Sequence, residues 1–130
     1  IGSIEVVDKI KRLKPLKAVY GNIDNHLIRN EFPLDYRFSC ENIRVWITHI
    51  GGYPNRYSKR ISEGLKSEKV DLFICGHSHI LKVINDKKHN LLHINPGAIG
   101  KHGFHNKRTM VRFEIDGKKI ENLEIIEFNR

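Results

Sequence analysis

The side chains of this chain that could do chemistry cluster just after short apolar runs. Asp71-Leu72-Phe73-Ile74-Cys75 leads into Gly76-His77-Ser78-His79, two imidazoles separated by one residue. On an extended loop, side chains at i and i+2 point the same way, so this pair can serve one metal centre. Three other stretches end in the same manner. Leu16 to Tyr20 runs into Gly21-Asn22-Ile23-Asp24, Ile43 to Thr48 ends at His49, and Asn90 to Ile94 closes in Asn95-Pro96-Gly97. An amide oxygen from asparagine and neutral imidazoles suit Mn, Fe, Zn or Ni and suit Ca poorly. A glycine ahead of the ligand lets the loop approach the centre closely.

Each of these residues also has an ordinary reading. His49 can simply end its strand, and Gly-Asn is a common turn. His26, His89 and His93 lack a glycine-turn context and read as surface or core residues. His102 and His105 lie in the loop Gly100-Lys101-His102-Gly103-Phe104-His105-Asn106, where they are either phosphate contacts or plain surface.

The elements that must position these loops follow from periodicity. Glu5, Val6, Val7, Ile10 and Leu13 behind Ser3 predict a capped amphipathic helix that Pro15 stops. Leu16 to Tyr20 reads as a strand, and His26 to Leu34 as a helical turn or irregular chain interrupted by Pro33. Tyr36-Arg37-Phe38 and Ile43 to Thr48, flanking Ser39 to Asn42, predict a hairpin. Ser58 to Lys69 reads as a helix weakened by Gly64, and Val70 to Cys75 as a strand. Ile80 to Ile84, Asn90 to Ile94, Thr109 to Ile115 and Ile120 to Phe128 predict four further strands, with hairpin turns at Asn85-Asp86 and Asp116-Gly117. Helices in the first half and a meander in the second predict one α/β (α+β) domain: two packed sheets with helices outside.

At 130 residues, 39% hydrophobic and 29% charged, the chain has the composition of a single globular domain. A net charge of +8 suits phosphate-bearing substrates, nucleic acid or an acidic partner. The basic residues are dispersed, and the densest run, Lys9 to Lys14, reads as the solvated face of a helix. With no arginine-rich arm, zinc finger or aromatic platform, a dedicated nucleic-acid module is not expected. Cys40 and Cys75 are far apart and fit a reducing compartment. No run reaches transmembrane length and no secretory leader is visible, so the expectation is a cytoplasmic protein with no membrane partner.

Taken in order, Gly21-Asn22-Ile23-Asp24, His49, Gly76-His77-Ser78-His79 and Asn95-Pro96-Gly97 resemble the motifs of the calcineurin-like metallophosphoesterases. The resemblance covers the whole chain and is strongest to the small bacterial and archaeal phosphodiesterases, with the retromer subunit of similar fold related to them. It implies two packed mixed sheets flanked by helices, a metallophosphoesterase-like four-layer sandwich, with a two-metal centre at one edge. It also implies a phosphodiesterase or phosphatase that hydrolyses phosphate esters with metal-activated water. Asn22, His49 and His77 correspond to ligands of the second metal and His79 to a ligand of the first, with Mn, or else Ni, Zn or Fe, as the ion. His77 would also hold the phosphoryl group, and Asp24 would support the catalytic centre from behind. Lys101 or Arg108 would assist. The alternative within the same fold is a non-catalytic protein-interaction scaffold.

Two departures qualify the resemblance. Where larger phosphatases of the family carry a proton-donating histidine after the asparagine, this chain has Ile23, which transfers no proton. The family's opening Asp-x-His and Gly-Asp motifs have no counterpart, so the chain is expected to lack the first β-α-β unit, about 30–45 residues at ordinary element lengths. The bridging aspartate that holds two ions about 4 Å apart would go with it. The expectation is weak, single-metal occupancy, little hydrolysis by this polypeptide alone, and homo-dimers or higher oligomers through exposed sheet edges.

Overall fold

In a computed structural model covering residues 1–130, the first element is helix α1 (Ile4–Leu13). The Ser3 hydroxyl caps it by accepting from the Val6 amide, as the sequence predicts. Residues 16–20, expected as a strand, are extended but make one backbone bond only, from the Tyr20 amide to the Pro33 carbonyl. Leu16, Ala18 and Tyr20 pack instead on Val7, Ile28 and Phe32. Their alternation reflects burial of one face, and a ladder also needs a neighbour for the N–H groups. Helix α2 (His26–Glu31) starts where the Asn25 side chain accepts from the Ile28 amide, and Phe32 ends it ahead of Pro33.

Strands β1 (Asp35–Cys40) and β2 (Ile43–Thr48) form the expected hairpin, with Cys40 opposite Ile43. Helix α3 (Lys59–Ser67) follows, then β3 (Leu72–Ile74), shorter than its apolar run because Val70 and Cys75 are buried outside the ladder. With β4 (Leu81–Asp86) and β5 (Leu91–Pro96) the sheet order is β1-β2-β3-β5-β4. Within it β2, β3 and β5 run parallel. The turn predicted at Asn85-Asp86 falls instead at residues 87–90. Asp86 stays in β4 and closes that turn by accepting from the His89 amide and contacting its imidazole at 2.8 Å. A second, antiparallel sheet is the hairpin of β6 (Lys107–Asp116) and β7 (Lys119–Asn129), turning at Gly117 and carrying one bulge past Arg112.

The five-stranded sheet is covered on both faces, which explains why its central strands read as continuous apolar runs. Trp46, Val70, Phe73, Cys75 and Leu91 meet Ile61 and Leu65 of α3 on one side. Ile43, Val45, Leu72 and Ile94 meet Val111, Phe113, Ile115, Ile120 and Leu123 of the β6–β7 hairpin on the other. The expected pair of packed sheets flanked by helices is therefore present. No helix is long and apolar enough to cross a membrane.

Gly64, which weakened the helix prediction, lets α3 lie directly on Trp46. A Cβ at position 64 would stand 2.5 Å from the Trp46 ring. That ring is pinned, with Arg37 stacked over it at 3.7 Å and its N–H donating to Asp35 at 3.0 Å. Under the same helix, His93 is fully buried among Phe73, Tyr53 and Tyr57. Its Nδ1 lies 3.3 Å from the Tyr57 hydroxyl and its Nε2 has no partner. Burial lowers its pKa to about 4, against a partial opposing pull from Asp86.

Two stability predictions follow from this core. Gly64→Ala should destabilise by about 1–3 kcal/mol in urea unfolding through overpacking, although helix propensity alone favours alanine by about 1 kcal/mol. Equal or higher stability would show that Trp46 does not confine α3. For His93 the unfolded state takes up a proton that the native state refuses, so stability is fully present above pH 6.5 and declines toward pH 4. The loss attributable to it is up to about 3 kcal/mol, and His93→Gln should flatten the urea-midpoint slope over that window. An unchanged slope would mean that His93 is protonated in the native protein.

Candidate metal centre

Because β2, β3 and β5 are parallel, their carboxyl ends lie on one edge of the sheet, where α/β proteins collect reactive groups. His49 follows β2, Gly76 to His79 follow β3, and Asn95 lies near the end of β5. The Gly21–Asp24 turn comes up beside them, and its glycine leaves the His49 ring its room. A Cβ on Gly21 would press on the His49 ring at 3.2 Å, whereas one on Gly76 would meet nothing closer than 3.7 Å. The close-approach argument therefore holds for the first motif and not for the second.

Three of the four expected ligands converge. Asn22 Oδ1 lies 2.9 Å from His49 Nε2 and 3.3 Å from His77 Nδ1, and the two rings meet edge to face with centroids 5.2 Å apart. Burial, and then the neighbouring His77, lower the His49 pKa, which favours the neutral ring that metal binding requires. An amide oxygen and two imidazoles form a donor set suited to one divalent transition ion. No three His, Cys, Asp or Glu side chains meet at a point, and the amide completes this trio.

The expected His77–His79 loop is not extended. Both residues adopt the left-handed region, at φ 71° and 61°, and the rings part company. His77 joins Asn22 and His49, while His79 packs edge to face on His105 at 5.1 Å. A left-handed non-glycine residue costs about 1–2 kcal/mol, and the surroundings of Ser78 hold the loop in that form. Asn95, buried at 1% exposure, donates to the Gly76 carbonyl and to Ser78 Oγ, both at 3.1 Å, and accepts from the Gly97 amide. Ser78 Oγ also accepts from the Ile80 amide and bonds the Tyr53 hydroxyl. Sequence reasoning read Asn95-Pro96-Gly97 as a backbone turn. Its side-chain role has no local signal, because the partners come from a different strand.

Asp24 is held apart from the convergent trio. Its carboxylate, 5% exposed, accepts from the amides of Gly21 at 2.7 Å and Gly2 at 3.0 Å. Burial works to raise its pKa, but those amide donors hold it below the usual carboxylate range. It braces the Gly21-Asn22 turn, and its charge still reaches His49.

A cavity of about 570 Å³ opens over the cluster, lined by His49, His77, His79, His102 and His105 among others. Lys101 and Arg108, expected to assist, do not line it. Lys101 is exposed, and Arg108 donates to the Asn129 carbonyl and stacks on Phe128 within the hairpin. The rim is apolar instead, with Ile23 80% and Phe104 fully exposed. A larger concavity, about 800 Å³, lies at the opposite end of the sheet. Its Arg44 is engaged by Asp71 and its Lys69 by the carbonyls of His89 and Asn90, so no donor set converges there.

Comparison with known proteins places this geometry. None of the curated proteins matches the chain. Among solved structures, Entamoeba histolytica Vps29 complexed with Zn²⁺ superposes with a TM-score of 0.73 at 14% identity, over 99% of this chain and 77% of that one. A novel archaeal phosphodiesterase superposes with a TM-score of 0.68 at 21% identity, over 97% and 77%. A predicted phosphoesterase from Streptococcus pneumoniae gives 0.60 at 20% identity, over 86% and 69%. These likenesses show the shared fold. The model of the calcineurin-like phosphoesterase superfamily domain matches residues 1–118. The chain belongs to the calcineurin-like phosphoesterase superfamily.

Proposed function

We propose that the chain serves a divalent-metal-dependent phosphodiesterase or phosphatase. The observation that carries this reading is the convergence of Asn22, His49 and His77 on one point at the carboxyl edge of the sheet. Those three residues would hold one ion, of Mn, Ni, Zn or Fe. A divalent ion there supplies Lewis acidity toward a phosphoryl oxygen and acidifies water. The chain itself contributes a neutral His49, a His77 positioned by its left-handed backbone, and histidines along the cavity wall that can face a phosphate ester. Ile23, next to Asn22, offers no proton to a departing alkoxide. Esters with acidic leaving groups, such as aryl phosphodiesters, are therefore the favoured substrates.

A second reading rests on a specific observation. The one carboxylate at the cavity, Asp24, is engaged by backbone amides, and exposed Ile23, Ile80 and Phe104 ring the opening. Such a surface also suits a protein-interaction scaffold, and solved Vps29 structures share the fold.

The test is hydrolysis of a bis-aryl phosphodiester by the complete gene product with added Mn²⁺, in parallel with elemental analysis. His77→Ala should remove the ion held by Asn22, His49 and His77 and lower kcat/KM by at least about 10²-fold, the size of losing a principal electrostatic group. Aryl esters should outpace alkyl esters. A folded, metal-loaded protein that hydrolyses neither ester would favour the scaffold. Metal content unchanged by His77→Ala would remove the ligand assignment itself.

A further inference from the structure

The loop between β5 and β6 holds an apolar ring out in water at the mouth of the cavity. Phe104 is fully exposed there, and Ile23 and Ile80, also exposed, line the same opening. The loop that carries it is fastened on both sides. His105 Nε2 donates to the Gly100 carbonyl at 2.8 Å, which closes residues 100–105 on themselves, and Arg130 donates to the His105 carbonyl at 3.0 Å. The His105 ring packs edge to face on His79, with centroids 5.1 Å apart. Gly103, at φ +126°, lies so close to that wall that a Cβ there would stand 2.2 Å from His79 Nδ1. Bonds and contacts thus set the backbone around Phe104, while its side chain packs on nothing in the chain.

A single exposed apolar residue is ordinary. Three around a concave mouth, above a polar floor, match the arrangement of small-molecule sites. There apolar walls take the body of a ligand and a few polar groups fix one end. The floor here is Asn22, His49 and His77, and the volume of about 570 Å³ falls inside the usual range of roughly 300–1,000 Å³. The same rim narrows the ligand chemically. Ile23 gives no proton to a departing oxygen, so the esters that turn over are those whose leaving group is stable as an anion. A phenolic oxygen meets that condition and an alkoxide does not. The leaving group selected in this way is a flat aromatic ring, which is also what an exposed phenyl ring stacks on.

We propose that Phe104, with Ile23 and Ile80, forms an aryl subsite that receives the aromatic leaving group of a phosphate ester whose phosphoryl group faces Asn22, His49 and His77. The subsite rests on the phosphoesterase reading above and adds to it the residue that selects the substrate. In such an ester the P–O bond to the ring oxygen breaks as one from water forms. The phenolate leaves with the bonding pair, and the proton lost by the water passes to solvent. Phe104 orients the ring and takes no part in either bond.

Phosphonates test the subsite apart from turnover, because hydrolysis leaves their P–C bond intact. Calorimetry on the complete gene product with added Mn²⁺ compares phenylphosphonate with methylphosphonate, and kcat/KM is measured for aryl and alkyl phosphodiesters beside it. The phenyl compound should bind at least about fivefold more tightly, the size of one aromatic stack. Phe104→Ala should abolish that preference and lower the aryl-to-alkyl ratio of kcat/KM by a similar factor, and Phe104→Trp should restore both. Thermal unfolding checks that each variant is folded. The same preference in folded Phe104→Ala as in the unaltered protein would overturn the subsite. So would the absence of any preference in the unaltered protein, which would return the rim to the scaffold reading. In either case continued hydrolysis of aryl esters would leave the catalytic reading standing. A Phe104-dependent preference without hydrolysis would support the subsite and count against the catalytic reading alone.

Discussion

The site depends on one buried amide. Asn95 spends both of its N–H groups on the loop after the neighbouring parallel strand, one on the Gly76 carbonyl and one on the Ser78 hydroxyl. Its oxygen is occupied by the Gly97 amide, so the whole side chain is satisfied at 1% exposure. A buried polar group in that state is directional in a way that apolar packing is not. It fixes the residues between Gly76 and Ser78, and with them the left-handed turn that sends His77 and His79 apart.

Separation of the rings decides the electrostatics. Five imidazoles line one cavity and the only carboxylate there is already engaged. Desolvation and mutual repulsion lower the pKa of His49 and His79, which disfavours the charged form of both rings. An ion surrounded by neutral donors would keep its full charge toward the cavity. Braced from behind by Asp24, the Asn22 turn adds an acceptor without adding a charge.

Much of this was legible from residue types and order. The ends of β2, β3 and β5 were marked by apolar runs stopping at His49, Gly76 and Asn95, and the two packed sheets followed from helices giving way to a meander. Periodicity failed at residues 16–20, where one buried face mimicked a strand that has no partner. It also failed at Asn85-Asp86, where Asp86 closes a turn from inside the strand. Gly64 looked like a helix weakness until Trp46 was seen beneath it. Long-range contacts were invisible for a common reason. Asn95 with Ser78, and His105 with His79, join positions 17 and 26 residues apart, and no local pattern encodes which loops will meet.

The same geometry separates holding a metal from turning over an ester. The proposed ligands come from loops placed by the sheet edge and by Asn95, so their arrangement is set by the core. Proton transfer needs a donor beside the leaving group, and the residue next to Asn22 is an isoleucine projecting into solvent at 80% exposure. Changing that one side chain would alter the proton supply at the cavity without disturbing the contacts among Asn22, His49 and His77. The apolar rim of Ile23, Ile80 and Phe104 is equally free of the ligand geometry. A fold built this way can keep the arrangement at its sheet edge while its rim is reshaped for a substrate or for another protein. That independence lets one sheet edge serve hydrolysis in one member of a fold family and protein binding in another.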